Sequence, residues 1–177
     1  ASTTFDTNTA TYGGGGVWTQ YLYSTLDISD SEFTDNVVSS GAGGALSISY
    51  YSDLNMSGST VTGNQATGNG GGLYQYYYGT VEISDSTFDS NTTSAGSGGA
   101  VYFYPYSGWA DDLVIDSSSF LDNQASSHGG GVYAYAANDL ELSGATFEGN
   151  ASTGKGYGGG LYSNNVTSRT VSGSSFC

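Results

Sequence analysis

Four asparagines stand in the N-x-[ST] pattern of glycosylation acceptors: Asn55, Asn91, Asn150 and Asn165. The other groups able to do chemistry are few. Sixteen carboxylates face two basic side chains, Lys155 and Arg169, for a net charge of −14. A surface of that sign repels nucleic acid and anionic membranes, which are held through basic residues. The single histidine, His128, precedes Gly129-Gly130 at a turn. No Ser/His/Asp or Cys/His arrangement can be built beyond it. Cys177 is the one cysteine, so neither an intrachain disulfide nor a cysteine metal site is expected. Asp111-Asp112 is a weak cation candidate, against the plainer reading of a solvated acidic surface. No cofactor and no catalytic set is expected. No run is apolar and long enough to span a bilayer as a helix.

Such residues must be positioned by something, and the chain supplies a repeat. An apolar residue three before an asparagine recurs as Phe5/Asn8, Phe33/Asn36, Val61/Asn64, Phe88/Asn91, Phe120/Asn123 and Phe147/Asn150, and Phe176 opens a seventh copy. A second anchor keeps step with it. Two glycines, a small residue and an aliphatic recur at 14–17, 43–46, 70–73, 98–101, 129–132 and 158–161. Apolar alternation runs for only three to five residues before Gly, Ser, Asn or Asp interrupts it, which reads as short strands and turns. The expected fold is all-β: a parallel β-helix of about six turns, each of 27–32 residues with three strands, forming one domain over residues 1–177.

The GG[AG][LV] and F-x-x-N pair resembles the repeats of chlamydial polymorphic membrane proteins. More broadly it is similar to right-handed parallel β-helices of the pectin-lyase-like class, autotransporter passengers among them. The resemblance spans essentially the whole chain. It implies the fold; it does not select among adhesins, enzymes and fibres. Lyases of this class resemble one another in needing a base near clustered acids, and its hydrolases use neighbouring aspartates on successive turns. Neither set is found around Lys155, Arg169 or His128.

Stacking the copies predicts columns. Val17, Leu46, Leu73, Val101, Val132 and Leu161 point inward, as do Thr19, Ile48, Gln75, Phe103, Ala134 and Ser163. A second face buries Leu26/Ile28, Leu54/Met56, Val81/Ile83, Leu113/Ile115 and Leu140/Leu142, with Arg169 breaking the column in the sixth turn. Outward on that face, Asp27, Asn55, Glu82, Val114, Glu141 and Thr170 put charge on alternate rungs, which makes no calcium cage. The asparagine column is expected to hydrogen-bond along the axis. Asn91 and Asn150 belong to it, which leaves Asn55 and Asn165 as the better glycan acceptors. The longest turn carries its surplus as a bulging loop at 104–112, with the only Pro.

Aromatic columns dominate the outward positions of the first face: Trp18, Tyr74, Tyr102, Tyr133 and Tyr162, with Tyr76, Tyr104 and Tyr135 beside them. Stacked rings stabilise a coil. A contiguous exposed aromatic band also marks a contact surface for glycans or other proteins. Phe5 and Phe176 lie at the two ends of the chain, with Cys177 beside the latter, and no capping segment is visible. These features lead us to expect a structural subunit of an extracellular fibre or surface layer, with copies stacking head-to-tail through Phe5, Phe176 and Cys177. The alternative is an adhesin or carbohydrate-binding module at the cell surface, a fragment of a longer passenger. A polysaccharide lyase or hydrolase ranks behind both.

Overall fold

Every asparagine of the column follows a short strand and precedes another. In the computed structural model, which describes residues 2–21, 23–106 and 111–177, the first turn consists of β1 (Thr4–Asp6), β2 (Thr9–Ala10), β3 (Val17–Gln20) and β4 (Thr25–Ser29). Each of these heads a parallel sheet running the length of the coil. The β1 sheet has seven strands and ends at Ser175–Phe176; the other three have six. No helix occurs among the described residues.

Four strands per turn correct the expected three. The extra one has only two residues, as in Thr9–Ala10, Val37–Val38 and Gln65–Ala66. Two residues cannot display alternation, so the strand leaves no period to read. Residues 107–110 of the expected bulging loop lie outside the described residues.

Register follows the anchors. Phe5, Phe33, Val61, Phe88, Phe120, Phe147 and Phe176 pair in one row. Their rings stack face to face, 4.7 Å apart for Phe5–Phe33 and 4.8 Å for Phe120–Phe147. The aliphatic columns close the core from the other sides, and Leu46, Leu73, Val101 and Val132 are fully buried. Arg169 pairs with Leu140 but stays outside the core, its Nε donating to Ser163 Oγ at 3.0 Å.

The glycine anchor has a steric cause. The first glycine of each pair is left-handed, as at Gly98 (φ 68°), where a Cβ would sit 2.3 Å from the Val101 carbonyl oxygen. The second meets the adjacent rung: a Cβ on Gly99 would lie 2.1 Å from the Gly130 oxygen. Only glycine lets successive turns approach so closely at this corner.

Phe88 is wholly buried between Val61 and Phe120. We expect Phe88→Ala to cost about 3–5 kcal/mol in equilibrium urea unfolding. A loss below about 1 kcal/mol would contradict this packing.

Candidate functional site

Two polar ladders hold the rungs in register. In the first, Nδ2 of Asn8 donates to Oδ1 of Asn36 at 2.8 Å, and the pattern continues through Asn64, Asn91 and Asn123 to Asn150. The same Oδ1 atoms also accept the backbone N–H of the preceding asparagine. A second Nδ2 hydrogen goes to a phenylalanine-row carbonyl, Val61 O for Asn91 and Phe120 O for Asn150. Both amide hydrogens and both oxygen lone pairs of Asn91 are thereby used. The second ladder was missed in the sequence. Ser31, Ser59, Ser86 and Ser118 stand two residues before the phenylalanine row; each Oγ after the first accepts the backbone N–H of the serine one rung before. Its signal was the S-x-F spacing, which the longer F-x-x-N motif overshadowed.

The candidate acceptors differ accordingly. Asn91 is fully buried, and Asn150 lies in the ladder. Asn55 and Asn165 are exposed. Asn55 donates from Nδ2 to Asp27 Oδ1 at 2.9 Å, which softens the acidic column where it stands.

The aromatic residues gather on the sheet headed by β3. Tyr74, Tyr102, Tyr133 and Tyr162 stack at 5.2, 4.8 and 5.3 Å. Tyr104 and Tyr135 stack beside them at 4.8 Å, with Tyr76 tilted against Tyr104. The neighbouring corner adds Tyr21–Tyr50–Tyr77–Tyr106 and Tyr23–Tyr51–Tyr78. Tyr21, Tyr23, Tyr50, Tyr51 and Tyr77 all have φ between 52° and 62°. Bulky residues pay for that conformation with strain, and stacking across the rungs offsets it here.

Exposure corrects part of the outward column. Trp18 is 59 % exposed, but Tyr102 is only 8 % exposed because rings cover it on both sides. Ser47 and Ser49, also on the outward side, are buried at 4 % and 7 %. Phe176 is 50 % exposed, Phe5 is packed against the core on one side, and Cys177 is a free, exposed thiol.

Charge is segregated from this wall. None of the sixteen carboxylates, and neither basic residue, lies on its six strands, Val17–Gln20, Leu46–Ser49, Leu73–Tyr76, Val101–Tyr104, Val132–Tyr135 and Leu161–Asn164. His128 stacks on Tyr162 at 4.6 Å, and its Nδ1 accepts the Tyr157 N–H at 2.9 Å. At the edge of the wall, Asp111 and Asp53 line a depression with Tyr23, Tyr51 and Tyr78. Burial pushes the Asp111 carboxyl up, opposed by a hydrogen bond from the Gly79 backbone. Asp112 Oδ1 is occupied by Asn138 Nδ2 and the Asp139 N–H. Among the described residues no three His, Cys, Asp or Glu side chains converge on a common point.

Two predictions follow from this geometry. When the chain passes through a glycosylating secretory route, glycopeptide mapping should find Asn55 and Asn165 modified; sugar on folded Asn91 would mean that the ladder is open. The second concerns alkaline pH. The Tyr76 phenol is pushed up to about 12 from 10.0, first by its hydrogen bond with Tyr77 and then by burial. Burial, then the charge of Tyr162, does the same to Tyr133. The folded chain keeps protons that the unfolded chain releases. Stability from these groups is therefore intact below pH 10 and is lost as pH rises from 10 through 12. Ultraviolet titration should show a late-ionising tyrosine class, and the urea midpoint should fall above pH 10. Ionisation of all sixteen tyrosines together near 10 with the fold intact would exclude it.

Comparison with curated proteins and with solved structures gave no match. The profile of the right handed beta helix region matches residues 1–176. That span takes in every turn of the coil, so the chain belongs to the right-handed β-helix family.

Proposed function

We propose that this chain is a non-catalytic module of an extracellular surface, and that its tyrosine wall is the contact face for glycans or other surface proteins. A β-helix of this kind fits a surface or adhesin-like role. The observation that carries the reading is the charge-free aromatic wall on a molecule of net charge −14. Burial alone keeps carboxylates from the inward positions and the covered outward ones, but at exposed positions such as Trp18 stacking makes no such demand. A contact surface does, because desolvating a carboxylate against a neutral partner is costly. The strained tyrosines at its edge point the same way, since strain of this kind concentrates at functional positions. The non-catalytic reading draws support from His128, whose Nδ1 is held by a backbone N–H and whose ring is sandwiched among tyrosines.

Head-to-tail stacking of copies is the second reading. It is favoured by the exposed ring of Phe176, which belongs to the same row as Phe5. Residues 1–177 on their own would then form salt-strengthened filaments, because screening reduces repulsion between acidic copies.

One preparation tests both. Purified protein is applied to arrays of glycans and of surface proteins, and its sedimentation is followed with added salt. The contact-face reading expects binding that falls about tenfold in Tyr104→Ala/Tyr135→Ala and is unchanged in Glu82→Gln on the acidic face. Binding indifferent to the tyrosines, or none at all, removes it. The stacking reading expects assembly lost in Phe176→Asp; a chain that stays monomeric at high salt removes that one.

A further inference from the structure

The aromatic column has one missing rung. Ser47 pairs in register with Trp18 on one side and Tyr74 on the other. Ser49 likewise replaces the ring that Tyr76, Tyr104 and Tyr135 supply in later turns. The backbones of Trp18 and Tyr74 therefore stand two rungs apart, about 9.6 Å, with Ser47 between them where the other turns carry a ring. A cavity of about 400 Å³ takes in this place and reaches the corner at Tyr12 and Tyr50; its lining includes Trp18, Ser47, Ser49 and Tyr74. That volume is ordinary for a small-molecule site, for which about 300–1,000 Å³ is typical.

The floor decides what fits. Ser47 and Ser49 are more than nine-tenths buried. Neither hydroxyl has a hydrogen-bond partner among the described residues. Asn69 gives its Oδ1 to the Ser97 N–H, which leaves its amide hydrogens for the cavity. No charged side chain lines the cavity. The slot thus combines an apolar ring on each side with a row of neutral hydroxyl and amide groups beneath. An aromatic side chain entering it would seal two hydroxyls without partners, which is unfavourable. An acidic sugar would meet no cation here and would approach a molecule of net charge −14. A neutral pyranose meets both demands. Its C–H faces stack on Trp18 and Tyr74 while its hydroxyl edge pairs with Ser47, Ser49, Gln20 and Asn69.

We infer that this gap is a binding subsite for one pyranose ring of a neutral glycan, inserted as the absent rung of the ladder. It rests on the contact-face reading but names a narrower place within it. The subsite also accounts for the turn of Ser47 and Ser49, which carries no ring at either outward position where every other turn carries at least one.

The test is titration calorimetry with neutral hexasaccharides of glucose, mannose and galactose, and with oligogalacturonate as the acidic counterpart. Each variant is first matched to wild type by circular dichroism. We expect at least one neutral hexasaccharide to bind and oligogalacturonate not to. Ser47→Tyr, which fills the gap with the column's own residue, should weaken binding at least about tenfold, as should Trp18→Ala. Glu82→Gln, on the acidic face away from the wall, should leave it unchanged. Undiminished binding in Ser47→Tyr overturns the subsite, as does the absence of any neutral binder. So does displacement of the sugar from Ser47→Tyr and wild type alike by N-acetyltyrosine amide. If array binding still depends on Tyr104 and Tyr135 while the hexasaccharides fail, the subsite falls and the wall stands. If the slot binds sugar and the wall variants have no effect, the wall falls and the subsite stands.

Discussion

The asparagine ladder is the interaction on which the rest of this coil depends. A turn of a β-helix is free to slide along its neighbour unless something punishes the slip. Hydrophobic columns resist a slip of one residue, which would turn every inward side chain outward, but tolerate a slip of two. An amide ladder is less tolerant. Each interior asparagine accepts two hydrogen bonds and donates two, to atoms fixed by the rungs on either side. A slip of one residue would bury those groups unpaired, at about 1–3 kcal/mol each. The ladder therefore pins one point per turn. The phenylalanine row sits three residues before that point and the serine ladder two before the phenylalanine, so both inherit its register. The turn lengths of 27–32 residues differ without harm because the surplus is taken up at corners away from the pinned point.

How much of this was legible depends on side-chain size and on distance along the chain. Phenylalanine, asparagine and paired glycine are conspicuous residues, and their recurrence named the fold, the core columns and the ladder. The two-residue strands were not legible, because they are held by parallel pairing with the turns above and below and carry no pattern of their own. Left-handed Tyr50 and Tyr51 were equally hidden: tyrosine at a positive φ is disfavoured locally and is stabilised by rings about 28 residues away. Tyr102 shows the limit most directly. Alternation correctly places it on the outward side, yet its exposure is set by Tyr74 and Tyr133, each in a different turn. Inward or outward is a property of a strand. Buried or exposed on an aromatic wall is a property of the stack.

The same distinction explains why the wall is both support and surface. A column of flat rings at rung spacing is stabilising along the axis, where each ring covers its neighbours' faces. Sideways it leaves ring edges and hydroxyls in water, a neutral, broad surface suited to shallow contact more than to stacking on a ligand ring. A break in the stack changes that. Where Ser47 interrupts, no ring stands between Trp18 and Tyr74, and the cavity beside them is lined by neutral hydroxyl and amide groups. Regularity makes the scaffold, and the turn of Ser47 and Ser49 withholds a ring at both outward positions. In a solenoid a repeated wall presents much the same surface at every turn, and an omission adds a single place that differs from it.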